Sequence, residues 1–350
     1  MSAPILLVSV GGTVSDGAIE SLAGHRDRLR VIGLSTDPNT PSAAACDICD
    51  VVAPTADRDA FLQDLARTIE THRPILAFPC RDADLPALAA FKAARPDLGA
   101  PILVGTPALA EAMSDKVAMA SFARDIGIAM APTAASGAEA RALLDTHGFP
   151  LIAKPRLGSG TRGVYVVLTE RQLAHCLGLG GYVVQPYIAP PADLRRRLPD
   201  PDAGAAFAPS AGLEHFVTLK AIVGLDGRVA SLPVDVEHRY GRPHSLRRRA
   251  TTPDLDAVVS RVADGMRRNG YAGPFGVQGR FDTNGDFVAF EMLCRIGGSA
   301  AGFALMGFNE AVITIDMLAG LDLAGSGPAT VACDAVEWRA RPHAVTTRPQ

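Results

Sequence analysis

The chain has 350 residues, of which 48% are hydrophobic and 20% charged, and its formal net charge at pH 7 is −3. This composition is that of a globular protein of two to three domains, and it excludes the disordered and fibrous classes. The charge gives no reason to expect a nucleic-acid partner. No apolar run approaches the roughly 20 residues that span a bilayer, and the start lacks a basic leader region, so we expect a cytoplasmic protein without a membrane segment.

Short apolar runs separated by helical patterns occupy residues 1–105. The runs lie at 5–8, 31–34, 51–52, 75–78 and 102–104. Apolar strands that alternate with helices indicate a parallel sheet covered on both faces. The pattern predicts a Rossmann-like domain of the α/β class.

Two features of this region leave other functions open. The turn Gly11-Gly12-Thr13 and the acidic Asp37 after the second strand could serve a dinucleotide, but the GxGxxG spacing is missing and tight turns also account for them. Cys46 and Cys49 could be half of a zinc site, although no second cysteine or histidine pair lies nearby in the sequence. Buried thiols in a reducing compartment are the alternative.

From Thr106 onward helices give way to strands and hairpins. We predict a helix from Ser114 to Gly127, a second from a Ser136/Glu139 capping box to Gly148, and strands at 151–155, 164–168 and 182–188. An aperiodic loop follows at 189–211, and then a hairpin with a type I′ turn at Asp226-Gly227. The remaining elements are a helix at 254–269, a hairpin at 275–293, and one strand with a frayed tail at 331–350.

Lysine is rare in this chain: Lys92, Lys116, Lys154 and Lys220 are the only four among 34 basic residues. A lysine retained among arginines suggests a site that needs a compact point charge, such as a nucleotide phosphate. Lys154 lies in the predicted strand 151–155, which leads into the glycine-rich turn 158–163. Glycines there would let the backbone N–H groups approach a polyphosphate, although a plain hairpin loop has the same composition.

The hairpin at 275–293 predicts a pair of oxygen ligands. If Asn284 and Gly285 form a two-residue turn, opposed residues have numbers that add to 569, and Gln278 faces Glu291 with Arg280 two residues along. A carboxylate beside an amide oxygen suits Mg²⁺, which takes its remaining ligands from phosphates and water. An exposed polar pair is the alternative.

In these segments the chain resembles the ATP-grasp superfamily, in the branch of the carbamoyl phosphate synthetase large subunit and the carboxylate-amine ligases. The resemblance includes Pro79, Asp82, Asp84 and Leu85, the pair Asp115-Lys116, Lys154-Pro155 with the 158–163 loop, the hinge 185–188, Gly212-Leu213-Glu214, and the segment 291–298. It implies a Rossmann-like N-terminal domain at 1–105, followed by a two-lobed α+β ATP-grasp domain with lobes at 106–181 and 182–345.

The resemblance also implies roles for individual residues. The α- and β-phosphates of ATP would be held by Lys116 and Lys154 and covered by Ser159, Gly160 and Gly163. Adenine would bind at Gln185, Tyr187 and Ile188, and the ribose would face Glu214. Mg²⁺ would be bound by Gln278 and Glu291, and the γ-phosphate and the acyl phosphate formed from it would be held by Arg295. Arg295 and Lys154 are thus the candidate catalytic residues. The basic run 247–249 is either a solvated charge cluster or part of a substrate-carboxylate site.

The activity implied is that of an ATP-dependent ligase that joins a small carboxylate to an amine through an acyl phosphate. We expect a homodimer, the commonest assembly of such enzymes. One departure favours a different function. Leu293 stands where the family has a metal-binding asparagine, in a site that often holds two Mg²⁺ ions. The alternative is therefore a nucleotide-binding protein without ligase activity, a sensor or a subunit that needs a partner.

Overall fold

The structure is a computed structural model that describes residues 2–160, 162–192, 194, 213–239, 242–325 and 332–337. Its first unit is a four-stranded parallel sheet in the order β3-β2-β1-β4. The strands are β1 (Ala3–Val8), β2 (Leu29–Ser35), β3 (Ile48–Val51) and β4 (Leu76–Pro79). The predicted strand at 102–104 makes a single bridge, from Ile102 to Ala77. It goes no further because the Val104 amide turns back onto the Ile102 carbonyl, at 2.9 Å.

Helices cover both faces of this sheet. They are α1 (Thr13–Ser21), α2 (Pro41–Ala44), α3 (Arg58–His72), α4 (Leu85–Ala94) and α5 (Pro96–Gly99). Leu6 and Val8 pack with Phe61 of α3, whereas the alternate residues Ile5 and Leu7 pack with Ile19 of α1. Successive side chains of a strand point to opposite faces, so the apolar run of β1 is buried on both sides, as predicted.

Two further helices lead out of this unit, α6 (Pro107–Ser114) and α7 (Lys116–Asp125). The prediction that Ser114 caps α7 is wrong. Ser114 ends α6, where its hydroxyl donates to the Ala110 carbonyl at 2.7 Å. Asp115 is the cap: its backbone is extended and its Oδ1 accepts from the Val117 amide at 2.8 Å.

The second unit is an antiparallel sheet in the order β6-β5-β7. It contains β5 (Leu151–Pro155), β6 (Tyr165–Val167) and β7 (Tyr182–Pro186), packed with α8 (Gly137–His147) and α9 (Glu170–Gly178). Strand β5 has the predicted bounds, and the Ser136/Glu139 capping box of α8 is confirmed. Strand β7 ends two residues earlier than predicted, at Pro186, which has no N–H to continue the ladder.

The third unit is an antiparallel sheet in the order β12-β11-β8-β9-β10-β13. Its strands are β8 (Leu213–Val223), β9 (Val229–Arg239), β10 (Arg242–Arg248), β11 (Gly273–Phe281), β12 (Phe287–Leu293) and β13 (Ala335–Glu337), accompanied by α10 (Pro253–Arg268), α11 (Ala300–Leu305) and α12 (Glu310–Ala319). Helix α10 covers one face, where its Val259 and Val262 pack with Leu219 and Val277.

Both predicted two-residue turns in this sheet are wrong. Gly224 pairs with Arg228, so the β8–β9 loop has three residues, 225–227, and its glycine alone has a positive φ, of +85°. The β11–β12 loop is likewise three residues, 283–285, with Gly285 at φ +88°. Three-residue hairpin loops place one residue in the left-handed region, and glycine takes it without strain.

A β-bulge at Phe290 of β12 nevertheless restores the predicted pairing. Beyond the turn, Phe281 lies opposite Phe287, one residue out of the predicted register. The register shifts between Gln278 and Gly279, and Gln278 lies opposite Glu291. Because a bulge lets two residues of one strand oppose one residue of the other, Phe290 and Glu291 both reach the same cleft.

Helices α11 and α12 pack against the N-terminal sheet. Ala300, Ala311 and Ile315 share a buried cluster with Ile5 and Leu7 of β1. The segment that follows β12 therefore lies against the N-terminal unit.

Parts of two predicted segments lie outside the described residues: most of the loop at 189–211, and the chain beyond β13. Among the described residues, every helix is too short or too polar to cross a bilayer.

Candidate nucleotide site

A cleft lies between the three-stranded and six-stranded sheets. Its described lining includes nine of the predicted site residues: Lys116, Lys154, Ser159, Gly160, Gln185, Tyr187, Ile188, Gln278 and Glu291. Arg295 and Gly163 are not part of the lining, and the Glu214 side chain lies outside the described part of the chain.

Lys116 enters the cleft from the first turn of α7. Its side chain is buried, and its Nζ donates to the Gly158 carbonyl at 2.9 Å. The start of the helix is fixed from the other side, since the Arg156 guanidinium holds the Asp115 carboxylate, with Nη2 2.7 Å from Oδ2. Burial favours the neutral acid, but Arg156 and the backbone amides of the first turn together outweigh it and keep the pKa of Asp115 below its usual value. The ammonium therefore lies directly against the glycine-rich loop.

Lys154 enters from β5 and is buried. Its Nζ donates to the carbonyl of the bulge residue Phe290 at 3.0 Å and lies 5.6 Å from the centroid of the Phe290 ring. Burial lowers the pKa of Lys154 to about 8; the Glu291 carboxylate opposes this shift and the Lys116 ammonium adds to it. A buried ammonium held by one carbonyl would gain strongly from an anionic partner.

The glycine-rich loop between β5 and β6 adopts conformations that favour glycine. Gly158, Gly160 and Gly163 have φ values of +118°, +73° and +72°. Gly158 and Gly160 face open space, whereas a Cβ at Gly163 would lie 2.8 Å from the Tyr182 hydroxyl. Gly163 therefore serves packing in this structure, while the first two glycines leave room for a ligand.

The hinge after β7 forms another wall of the cleft. The Gln185 side chain is turned into the protein, where its Nε2 donates to Thr133 Oγ1 at 2.8 Å. The Tyr187 amide donates to the Pro150 carbonyl at 3.2 Å, and Pro186 has no amide proton. Within the described part of the chain the Ile188 amide makes no hydrogen bond, so it is a hinge donor that a ligand could use.

Gln278 and Glu291 lie side by side in the cleft, as predicted. They supply one carboxylate and one amide oxygen. Within the described residues there is no group of three or more His, Cys, Asp or Glu side chains that could hold a metal.

Cys46 and Cys49 are half-buried, and burial raises the pKa of both thiols, to about 11 for Cys46.

Arg295 is held by Asp82 of the N-terminal unit. Its Nε donates to Oδ1 at 2.7 Å and its Nη2 to Oδ2 at 2.5 Å, while Nη1 donates to the Ile296 carbonyl at 2.9 Å. Both side chains are buried. Burial disfavours the guanidinium charge, but Asp82 outweighs it and raises the pKa of Arg295. A role for Arg295 towards a phosphate stays a prediction.

Several lining residues were given no role from the sequence, among them Arg162, Phe216, His238 and Phe290. Arg280, noted only as the neighbour of Gln278, has its guanidinium carbon 4.6 Å from the centroid of the Tyr187 ring. His238 packs edge-on against Phe216, with ring centroids 4.9 Å apart, and burial lowers its pKa to about 4. The register of β8 with β9, which sets His238 opposite Glu214, is not evident from the sequence.

In the run 247–249, two arginines are held by the protein. Arg249 pairs with Asp235 at 2.8 Å and lies 4.9 Å from the Phe281 ring centroid, and Arg248 contacts Asp334 at 3.5 Å. Arg248 and Arg249 thus already have partners in the protein. This favours a charge cluster over a substrate-carboxylate site for these two residues.

No protein-family model matches the chain, and no curated protein matches it in sequence. Solved structures do. The ADP complex of N5-carboxyaminoimidazole synthetase from Staphylococcus aureus superposes with a TM-score of 0.67 at 14% identity, over 90% of this chain and 78% of that one. An L-amino acid ligase from Bacillus licheniformis gives 0.63 at 16% identity, over 90% and 74%.

A third similar structure is the biotin carboxylase domain dimer of the Hydrogenobacter thermophilus 2-oxoglutarate carboxylase, with MgADP, ADP and bicarbonate. It gives a TM-score of 0.64 at 15% identity, over 94% of this chain and 71% of that one. Identities this low establish the fold alone. The predicted fold class is thereby confirmed: the chain has the ATP-grasp fold, with a Rossmann-like unit at its N-terminus.

Proposed function

We propose that the protein is an ATP-dependent carboxylate-amine ligase that converts ATP to ADP and phosphate through an acyl-phosphate intermediate. The observation that carries the proposal is the convergence of Lys116, Lys154 and the glycine-rich loop on the cleft that also contains Gln278 and Glu291. Two buried ammonium groups beside a glycine-rich backbone form a site for a polyphosphate. The similar ADP-bound structures support the same use of the cleft.

We propose for the residues of the cleft the roles that the resemblance to ATP-grasp enzymes implies. Lys116 and Lys154 would hold the α- and β-phosphates, with Ser159 and Gly160 covering them. The Ile188 amide and the neighbouring hinge backbone would bind adenine, against the Tyr187 ring. Glu214 is proposed to face the ribose. Each of these assignments is a prediction for ligand binding.

The residues present fit one Mg²⁺ ion. Glu291 and Gln278 are directly opposed and provide two oxygens, and Mg²⁺ commonly takes its other ligands from substrate phosphates and water. When bound, the ion would neutralise developing charge on the transferred phosphoryl group. Arg295 is proposed to stabilise the acyl phosphate, which requires its guanidinium to share the Asp82 carboxylate or leave it.

Turnover with both substrates tests the proposal. ADP and phosphate should be released only when a small carboxylate and an amine are both supplied, and Lys154→Ala should abolish that release. Arg171→Ala, which removes an exposed charge on α9, is the control and should leave it unchanged. Retained ATP affinity in Lys154→Ala together with normal turnover would contradict the assignment.

A specific observation favours a second candidate function. Arg295 is engaged by Asp82, and Leu293 offers no metal ligand, so the chain could bind nucleotide without ligating. Binding of ATP with no ADP release across a screen of carboxylates and amines would favour this sensor or partner-dependent function. For the ligase we also propose a cytoplasmic homodimer, as one of the similar domains is a dimer.

A further inference from the structure

Two adjacent rows of residues cross the cleft-facing side of the six-stranded sheet. The first row contains Thr218, Gln278 and Glu291, which are register partners on β8, β11 and β12. The second row, two residues further along each strand, contains Lys220, Gly276 and Leu293. Side chains two residues apart on a strand share a face, so the second row borders the proposed magnesium ligands directly.

The Lys220 side chain fills the second row. It is 2% exposed, and its Nζ lies only 3.3 Å from where a Cβ of Gly276 would stand and 2.9 Å from where a Cβ of Gly297 would stand. The absence of side chains at these two glycines is what makes room for the ammonium. Lys220 thus lies across β11, on the path from β8 towards Leu293.

Glu310 of α12 neutralises this ammonium. Its Oε1 lies 2.8 Å from Lys220 Nζ, and the carboxylate is fully buried. The two groups face each other as an ion pair outside aligned hydrogen-bond geometry, and Oε2 accepts from the Gly297 amide at 3.4 Å. The Phe303 ring, 5.7 Å from Nζ, closes the other side.

The second row therefore offers a divalent cation nothing to bind. Leu293 and Gly276 have no side-chain donor atoms, and the Glu310 carboxylate is already engaged by a positive charge. An ammonium in that space would also repel a second cation. The first row keeps its two oxygens, so the two rows differ sharply in their capacity for metal.

The rest of the cleft supplies positive charge of its own. Its described lining contains Lys116, Lys154, Arg162 and Arg280 against the single carboxylate of Glu291. Four fixed cationic side chains neutralise most of the negative charge of a triphosphate without an additional metal ion.

We propose that this cleft binds a nucleoside triphosphate together with one divalent cation only, because the Lys220–Glu310 pair occupies the place of a second. The inference rests on the proposed function of the cleft as a nucleotide site. It makes Lys220 a residue that determines metal stoichiometry.

The test is to count Mn²⁺ ions bound by the full chain in the presence of a saturating non-hydrolysable ATP analogue, using equilibrium dialysis and the electron paramagnetic resonance signal of free Mn²⁺. The expected result is one nucleotide-dependent Mn²⁺ per chain. Two per chain would overturn this inference while leaving the nucleotide site intact. Failure to retain the radiolabelled analogue, with or without Mn²⁺, would overturn the proposed function as well.

Two variants separate the contributions of Leu293 and the ion pair. Leu293→Asn alone should still bind one Mn²⁺, since Lys220 remains in place. The triple variant Leu293→Asn, Lys220→Met, Glu310→Leu replaces the pair by apolar groups of similar volume and should bind two. Two ions in the single variant, or one in a folded triple variant, would contradict the role given to Lys220; if the triple variant does not fold, the count in Leu293→Asn decides.

Discussion

Asp82 and Arg295, 213 residues apart in the sequence, form a bidentate ion pair that joins the N-terminal unit to the segment after β12. Both side chains are buried, so either charge would be left without compensation if the other were removed. The pair is thus a buried contact that connects the two units, beside the cleft that we propose as the nucleotide site.

Asp82→Ala should lower the free energy of unfolding by about 3–5 kcal/mol, because it leaves the Arg295 guanidinium buried and unpaired. Urea denaturation followed by circular dichroism measures the change. The matched control is Asp97→Ala, which breaks an exposed pair with Arg95 and should have little measurable effect. Equal stabilities of the two variants would show that the buried pair contributes nothing to joining the units.

Nucleotide affinity should fall as the pH rises through about 8. Lys154 is protonated below that pH in the free protein, and loss of its charge removes a phosphate contact. The same shift makes the folded state more stable as pH rises from about 8 towards 10.5, since over that range the unfolded chain binds the extra proton. Isothermal titration of ATP between pH 7 and pH 9 measures the first effect.

Lys154→Gln should bind ATP more weakly at pH 7 and show a flatter dependence on pH. An unchanged slope in this variant would assign the titration to another group.

Glu291→Gln should weaken magnesium-dependent ATP binding by about tenfold or more, equivalent to about 1.4 kcal/mol or more, because it removes the one carboxylate of the proposed metal pair. Binding measured without Mg²⁺ should change far less. The ratio of the two affinities is therefore the informative quantity. Gln278→Glu provides the opposite change and should strengthen the dependence on Mg²⁺; no change in either variant would place the metal elsewhere.

His238 should make the protein sensitive to acid. Its pKa is lowered from 6.5 to about 4 by burial, so the folded state keeps it neutral while the unfolded chain protonates. Its contribution to stability is present above pH 6.5 and is lost as the pH falls towards 4, by roughly 2–3 kcal/mol. Urea denaturation at pH 7 and pH 4.5 measures the loss.

His238→Phe should reduce this loss between the two pH values. His147→Asn, at an exposed position on α8, is the control and should leave the acid sensitivity as it was. An equally acid-sensitive His238→Phe variant would assign the effect to other groups.

The sequence predicted the parts of the molecule that depend on local pattern. Strand β5, the capping box of α8 and the opposed pair Gln278–Glu291 all follow from periodicity or spacing. The pair was predicted from a two-residue turn that does not exist. The three-residue loop shifts the register of the two strands by one residue, and the bulge at Phe290 shifts it back. A bulge has no signature in a single sequence.

Long-range pairings could not be predicted in this way. Nothing near Arg295 in the sequence indicates that Asp82 binds it, and nothing near Lys220 indicates Glu310. Such contacts depend on how α11 and α12 pack back onto the first sheet, which apolar periodicity does not specify. His238 was missed for a related reason, since its place on the cleft face depends on the register of two long strands.

The packing of α11 and α12 against β1 means that the beginning of the chain completes its core only with residues found some 300 positions later. A fragment that ends before Glu310 would leave Ile5 and Leu7 partly uncovered. The N-terminal unit is therefore poorly suited to independent expression, and native contacts over such separations slow folding. During synthesis, the second face of the first sheet is completely covered only after nearly the whole chain has been made.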